Sequence, residues 1–177
     1  MSQSATLYRV SKETFRQLEN SGNKQKFDIS SAKSYAIFQG SFMGLEFILS
    51  KGQDVSTSDL IIEIFNPKLF LGGQDFESLS PAELMELGEN GGIIHYLDTS
   101  TISRINNLFD KVSEGDIQTK YDARELNNNR IYPEVWHNDN SSDQVYNERQ
   151  ILEDFVELKT IIKQADKEND FILVFVG

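Results

Sequence analysis

The chain has 177 residues, with 17 Lys and Arg against 28 Asp and Glu, a formal net charge of −11 and a pI near 4.6. That acid excess repels phosphate backbones and anionic lipid, which sets nucleic acid and membrane surfaces aside as partners. The absence of Cys excludes a disulfide framework, a thiolate zinc site and a cysteine nucleophile, and the 38% hydrophobic content suits one compact domain over 1–177.

Met1 to Thr6 shows no basic stretch leading into an apolar one, so no secretory signal is expected. No apolar run approaches the ~20 residues that span a bilayer, and the bacterial cytoplasm is the expected location. Thr6 to Val10 reads as a short strand. Ser11 then caps a helix from Lys12 to Asn20 that stops near Gly22. From Ser30 or Ser31 to Gly52, Tyr35, Phe38, Phe42, Leu45 and Leu49 recur at spacings of three and four. This pattern predicts a packed helix of about twenty residues. Gly40 and Gly44 would share one face of it and admit a close neighbour, or else a ligand groove.

Asp59 to Phe65 is ambiguous, but its Ser/Thr/Asp lead-in favours a helix that Asn66-Pro67 closes. Leu69 to Gly73 is an extended piece ending in a Gly-Gly turn. Ser80-Pro81-Ala82-Glu83 opens a short helix to Gly88, and Glu89 to Gly92 is a turn. Ile93 to Leu97 is the next strand. Asp98, Thr99 or Ser100 caps a helix striped by Ile102, Ile105, Leu108, Phe109 and Val112. Ser113-x-x-Asp116 opens another helix through Tyr121, and Asp122 begins a turn carrying Leu126. Ile131 to Pro133 is expected to be extended, and Trp136 to Asp143 to be a polar loop. Tyr146 to Lys167 is a long amphipathic helix. Phe171 to Val176 is an unbroken apolar run, the pattern of a strand buried on both faces, with Thr6 to Val10 as its neighbour. The fold class is therefore α+β: a single helix-rich domain with a small mixed sheet that includes the N-terminal and C-terminal strands.

Catalytic signals are sparse. His95 sits in a strand pattern and reads as a structural or surface histidine rather than a general base. His137 lies in a polar loop near Asp139 and Asp143, without the spacing of a metal site, and no cofactor is expected. Gly72-Gly73 and Gly91-Gly92 lack the residues that complete a phosphate cradle, and no nucleophile elbow is present.

The charge is unevenly placed. Residues 1 to 33 balance at +3, so the remainder carries −14. From Glu134 to Glu157 there are seven acids and only Arg149 as a cation. Tyr132, Trp136 and Tyr146 lie among or beside them. Acids interleaved with aromatic anchors suit the capture of a basic protein. The candidate contact residues are Tyr132, Glu134, Trp136, His137, Asp139, Asp143, Tyr146, Glu148, Glu153 and Asp154.

Ile131-Tyr132-Pro133 with Trp136 after it follows His95-Tyr96-Leu97, the Asp98-Thr99-Ser100 cap, Tyr121-Asp122 and Leu126. Leu152, Phe155, Leu158 and Ala165 precede the terminal β run. This order resembles the YfbM-like family of bacterial proteins, domain of unknown function 1877. The resemblance is clearest over Ile93 to Gly177 and extends to Tyr8-Arg9-Val10 and the Tyr35 to Leu49 segment. It implies a small single-domain α+β fold without an established activity, and no catalytic residues to carry over. The expected function is a non-enzymatic binding protein, in its sharpest form an immunity-type protein that neutralises a basic toxin or effector. The alternative is a small-molecule-binding protein or enzyme with a site near Tyr132 to His137.

Overall fold

The computed structural model describes residues 3–21, 27–72, 80–82, 85 and 93–177. Strands β1 (Ser4–Val10), β2 (Ser34–Gln39), β3 (Leu69–Phe70), β4 (His95–Leu97) and β5 (Phe171–Val176) form one sheet in the order β2-β1-β5-β4-β3. All four pairings are antiparallel, so the sheet is not the mixed one expected. The first and last strands lie side by side in opposite directions, with Ser4 and Gly177 exchanging backbone hydrogen bonds of 2.6 and 3.0 Å. The terminal apolar run is central. Ile172 and Val174 are buried on one face and Leu173 on the other.

Two apolar layers enclose the sheet. On one face Ala5, Leu7, Ala36, Phe38, Leu97, Ile172 and Val174 join the large core. Helices α2 (Phe42–Ser50), α3 (Val55–Phe65), α4 (Thr99–Phe109), α5 (Glu114–Lys120), α6 (Ala123–Asn128) and α7 (Glu148–Glu168) supply the rest of that core. On the other face α1 (Lys12–Ser21) contributes Phe15 and Leu18, and the Phe15 ring stacks on Phe171 with centroids 3.9 Å apart.

The long helix expected between Ser30 and Gly52 is instead strand β2 followed by helix α2. Residues 34–39 alternate, with Ala36 and Phe38 buried and Tyr35 and Ile37 exposed. The three-residue step from Tyr35 to Phe38 therefore crosses the sheet rather than following a helix face. Gly40, at φ +74°, turns the chain between the two elements in a conformation that favours glycine.

Other expectations hold with shifted boundaries. Helix α3 forms, capped by Asp54, whose carboxylate accepts from the Thr57 N–H at 2.8 Å. Asp98 caps α4, and Ser113 with Asp116 forms a capping box on α5. Helix α7 starts two residues later than expected, because Tyr146 sits at φ +57° and Asn147 is the cap. The Ile131-Tyr132-Pro133 segment is a turn rather than extended. The Tyr132–Pro133 peptide is cis, and the Glu134 N–H donates back to Ile131 at 2.9 Å. Gly22, Gly73, Glu83, Gly88 and the Glu89 to Gly92 turn lie outside the described residues; Pro81, Ala82 and Met85 are helical. Among the described residues, no helix is long and apolar enough to cross a membrane.

Candidate functional site

The acid-rich segment runs from the cis-proline turn through an irregular loop into the first turns of α7. Its shape comes from side-chain amides that satisfy backbone groups no ladder reaches. Asn127 on α6 clamps Trp136 in both directions: its amide donates to the Trp136 carbonyl at 3.0 Å, and its carbonyl accepts from the Trp136 N–H at 2.9 Å. Asn147 is fully buried. It donates to the carbonyls of Asp139 and Gln144, both at 2.9 Å, while its side-chain oxygen caps α7 at Gln150. The His137 N–H donates to the Tyr146 carbonyl, and the Tyr121 hydroxyl donates to the His137 carbonyl at 2.6 Å. The loop is thus held to α5, α6 and α7 at both ends.

This frame separates the expected contact residues. Glu134, Asp139 and Asp143 are exposed, and so is Glu153, although it pairs with Arg149 one helical turn back at 2.9 Å. Glu148 is half-buried and accepts from the Asn140 amide at 2.8 Å. Val135 and Val145, which sequence reasoning passed over, are about half exposed at 50% and 55% beside these acids. Tyr132, His137 and Tyr146 are half-buried. His137, Asp139 and Asp143 form no metal-ligating cluster among the described residues.

Two residues named as contacts are internal. Trp136 is only 3% exposed. Its indole N–H donates to the Ile131 carbonyl at 2.9 Å, and its ring lies over Gly44, where a methyl group would stand 2.3 Å from the indole. The ring fills the close approach that Gly44 permits on α2, so it anchors the loop to the core rather than offering itself to a partner. Tyr146 and Tyr132 cover Gly40 in the same way, at 3.0 and 3.3 Å from a notional methyl. The groove envisaged beside the two glycines is therefore occupied by the protein's own aromatic rings.

Asp154 is also buried, facing Ser41 at the start of α2. Neither the Ser41 hydroxyl nor Asp154 Oδ2 has a partner at hydrogen-bonding geometry, although the hydroxyl is near enough to favour the carboxylate somewhat. Burial dominates, and with Glu157 and Glu153 nearby it pushes the Asp154 carboxyl up to about 6. A carboxyl whose folded-state value is raised binds its proton more tightly in the folded chain. Stability therefore falls as pH rises from near 4 to near 6, and the penalty is complete above that range. Asp154→Asn is expected to raise stability near pH 8 by about 2 kcal/mol, with the gain vanishing near pH 4. Urea unfolding of both proteins at the two pH values measures this. An equal difference at both would refute the assignment.

Sequence reasoning also missed Glu46. It projects from α2 into a cleft of about 580 Å³ where α2 and α3 meet the β4–β5 end of the sheet. Burial pushes its carboxyl up to about 7. His95 lines the same cleft from β4, and its Nδ1 lies 2.8 Å from the Pro67 carbonyl.

The comparisons with known proteins bear on this geometry. The family model described as Domain of unknown function (DUF1877) matches residues 1–175. The chain belongs to that family. The structure is similar to that of YfbM from Escherichia coli, a protein of unknown function. The two share 14% sequence identity over 100% of each chain, with a TM-score of 0.62. At that identity the likeness establishes the YfbM-like α+β fold and nothing of the chemistry. The comparison with curated proteins finds no match.

Proposed function

We propose that this chain is a non-enzymatic acidic binding protein whose 134–153 face captures a basic protein. In its sharpest form it is an immunity-type protein that neutralises a basic bacterial toxin or effector. One observation carries the reading: exposed Glu134, Asp139 and Asp143 share with half-exposed Val135 and Val145 a loop pinned by Asn127 and Asn147. Within Glu134 to Glu157 the single cation, Arg149, is engaged by Glu153, so the other acids keep their field. A pinned loop loses little conformational freedom on docking, and its exposed valines add apolar area to the charge of the acids.

The test is affinity purification with the tagged chain from its own cells at about 0.15 M ionic strength, followed by association kinetics with the purified partner. The expected result is a stoichiometric basic protein. Its association rate should fall about tenfold or more on combining Glu134→Lys, Asp139→Lys and Asp143→Lys, with the melting temperature retained. Recovery of no protein partner, or an unchanged rate, would contradict the proposal.

A further inference from the structure

The cleft between α2, α3 and the β4–β5 end of the sheet has no part in the acidic face. Its walls are Phe42 and Met43 from α2, Ile62 and Phe65 from α3, and Val174 from β5. Its volume of about 580 Å³ falls within the range of about 300–1,000 Å³ that holds small organic ligands. Asn66 and His95 add polar groups to this lining, and α2 projects one carboxyl into the cleft, that of Glu46. Among the described residues Glu46 accepts no hydrogen bond and forms no ion pair, and no Lys or Arg lines the cleft. Helix α2 is short and, apart from Glu46 and its last residue Ser50, apolar: Phe42, Gly44, Leu45, Ile48 and Leu49 are all buried. A carboxylate half-removed from water without a partner is unfavourable and calls for a counter-charge. The Phe42 and Phe65 rings pack against each other at this wall, with centroids 5.4 Å apart.

We infer that this cleft binds a small apolar molecule bearing one ammonium group, with Glu46 as the counter-ion and the Phe42, Ile62 and Phe65 side chains around the hydrocarbon part. The ammonium would give Glu46 the charge-assisted hydrogen bond that the protein withholds. The raised proton affinity of Glu46 fits this, since a bound ammonium favours the ionised form. Burial alone causes that shift, and His95 from β4 is the other titratable side chain lining the cleft among the described residues.

The probes are 2-phenylethylamine, its neutral analogue 2-phenylethanol and its anionic analogue 3-phenylpropanoate. Each is titrated into the full chain by calorimetry near pH 8, with amide chemical shifts followed in parallel. The amine is expected to saturate, to shift the amides of Glu46, Ile62 and Val174, and to bind about tenfold or more tightly than the alcohol. The anion should bind most weakly. Glu46→Gln should abolish the preference for the amine while leaving alcohol binding in place. Ile62→Lys, at a position 41% exposed, places a competing ammonium at the wall and should weaken amine binding without unfolding the chain. In the wild type, amine affinity should rise from near pH 5.5 to near pH 8 more than it does in Glu46→Gln, which retains His95. Absence of saturable amine binding, equal affinity for amine and alcohol, or an amine preference that survives Glu46→Gln would overturn the inference.

Discussion

Trp136→Ala is expected to destabilise the protein by about 3–5 kcal/mol, the cost of deleting a large buried aromatic and leaving a cavity. The magnitude follows from what the side chain holds together. Its ring packs over Gly44 on α2, its edge meets Tyr146 with centroids 5.9 Å apart, and its indole N–H satisfies the Ile131 carbonyl in the cis-proline turn. Removing the ring empties space that Gly44 cannot fill and takes from that carbonyl one of its two donors, leaving the Glu134 N–H. Chemical denaturation monitored by far-UV dichroism measures the loss. The contact role read from sequence makes a different forecast: wild-type stability with faster dissociation from a partner. A loss under 1 kcal/mol would return Trp136 to the surface.

Asp170→Ala is expected to cost about 3–5 kcal/mol, because it strands a buried guanidinium. Asp170 is 2% exposed and Arg9 8%. Arg9 Nη1 donates to Asp170 at 3.0 Å, and Lys33 Nζ donates to both of its oxygens at 2.9 Å. Asn169 ends α7 at φ +54°, and the Asp170 N–H returns to the Ala165 carbonyl at 2.9 Å. That reversal sets Asp170 where β5 begins beside β1. Without it Arg9 keeps the Ser34 hydroxyl, at 3.0 Å from Nε, and as counter-charge only Glu168, at 3.2 Å, a carboxylate 46% exposed and therefore screened by water. Arg9→Met combined with Asp170→Leu should cost much less than the sum of the single changes, since no charge is then left buried. Urea unfolding of the cycle gives the coupling, and additive losses would show that the pair does not act as a unit.

The elements read correctly from sequence were those with a local physical signature. Phe171 to Val176 is apolar at every side chain, and a run so short and rich in aromatic and β-branched residues suits a strand covered on both faces. Asp98 and Ser113 each precede a helix with the carboxylate or hydroxyl that its first turn requires, and Asp122, read as opening a turn, caps the helix α6. Tyr35 to Leu49 misled because a strand and a helix placed end to end mimicked one helical period. The contrary sign, Gly40 at positive φ, looks like any helix glycine until the strand partner is known. The acidic stretch was visible as composition, but which acids face solvent was not. Asp154 lies one residue from exposed Glu153 yet points at Ser41, a contact across 113 positions that spacing does not reveal. Glu46 was unremarked for the same reason. Its significance lies in what surrounds it, and α3, β4 and β5 all come later in the chain.

The family assignment fixes the fold without assigning a reaction, so the central claim rests on the 134–153 face. The most direct test is the association rate of the purified partner as a function of ionic strength, for the wild type and for the triple variant at Glu134, Asp139 and Asp143. The wild-type rate should fall steeply between about 0.05 and 0.5 M salt, as for attraction between opposite charges, and the triple variant should start lower with a nearly flat dependence. Superimposable salt dependences for the two proteins would contradict the claim.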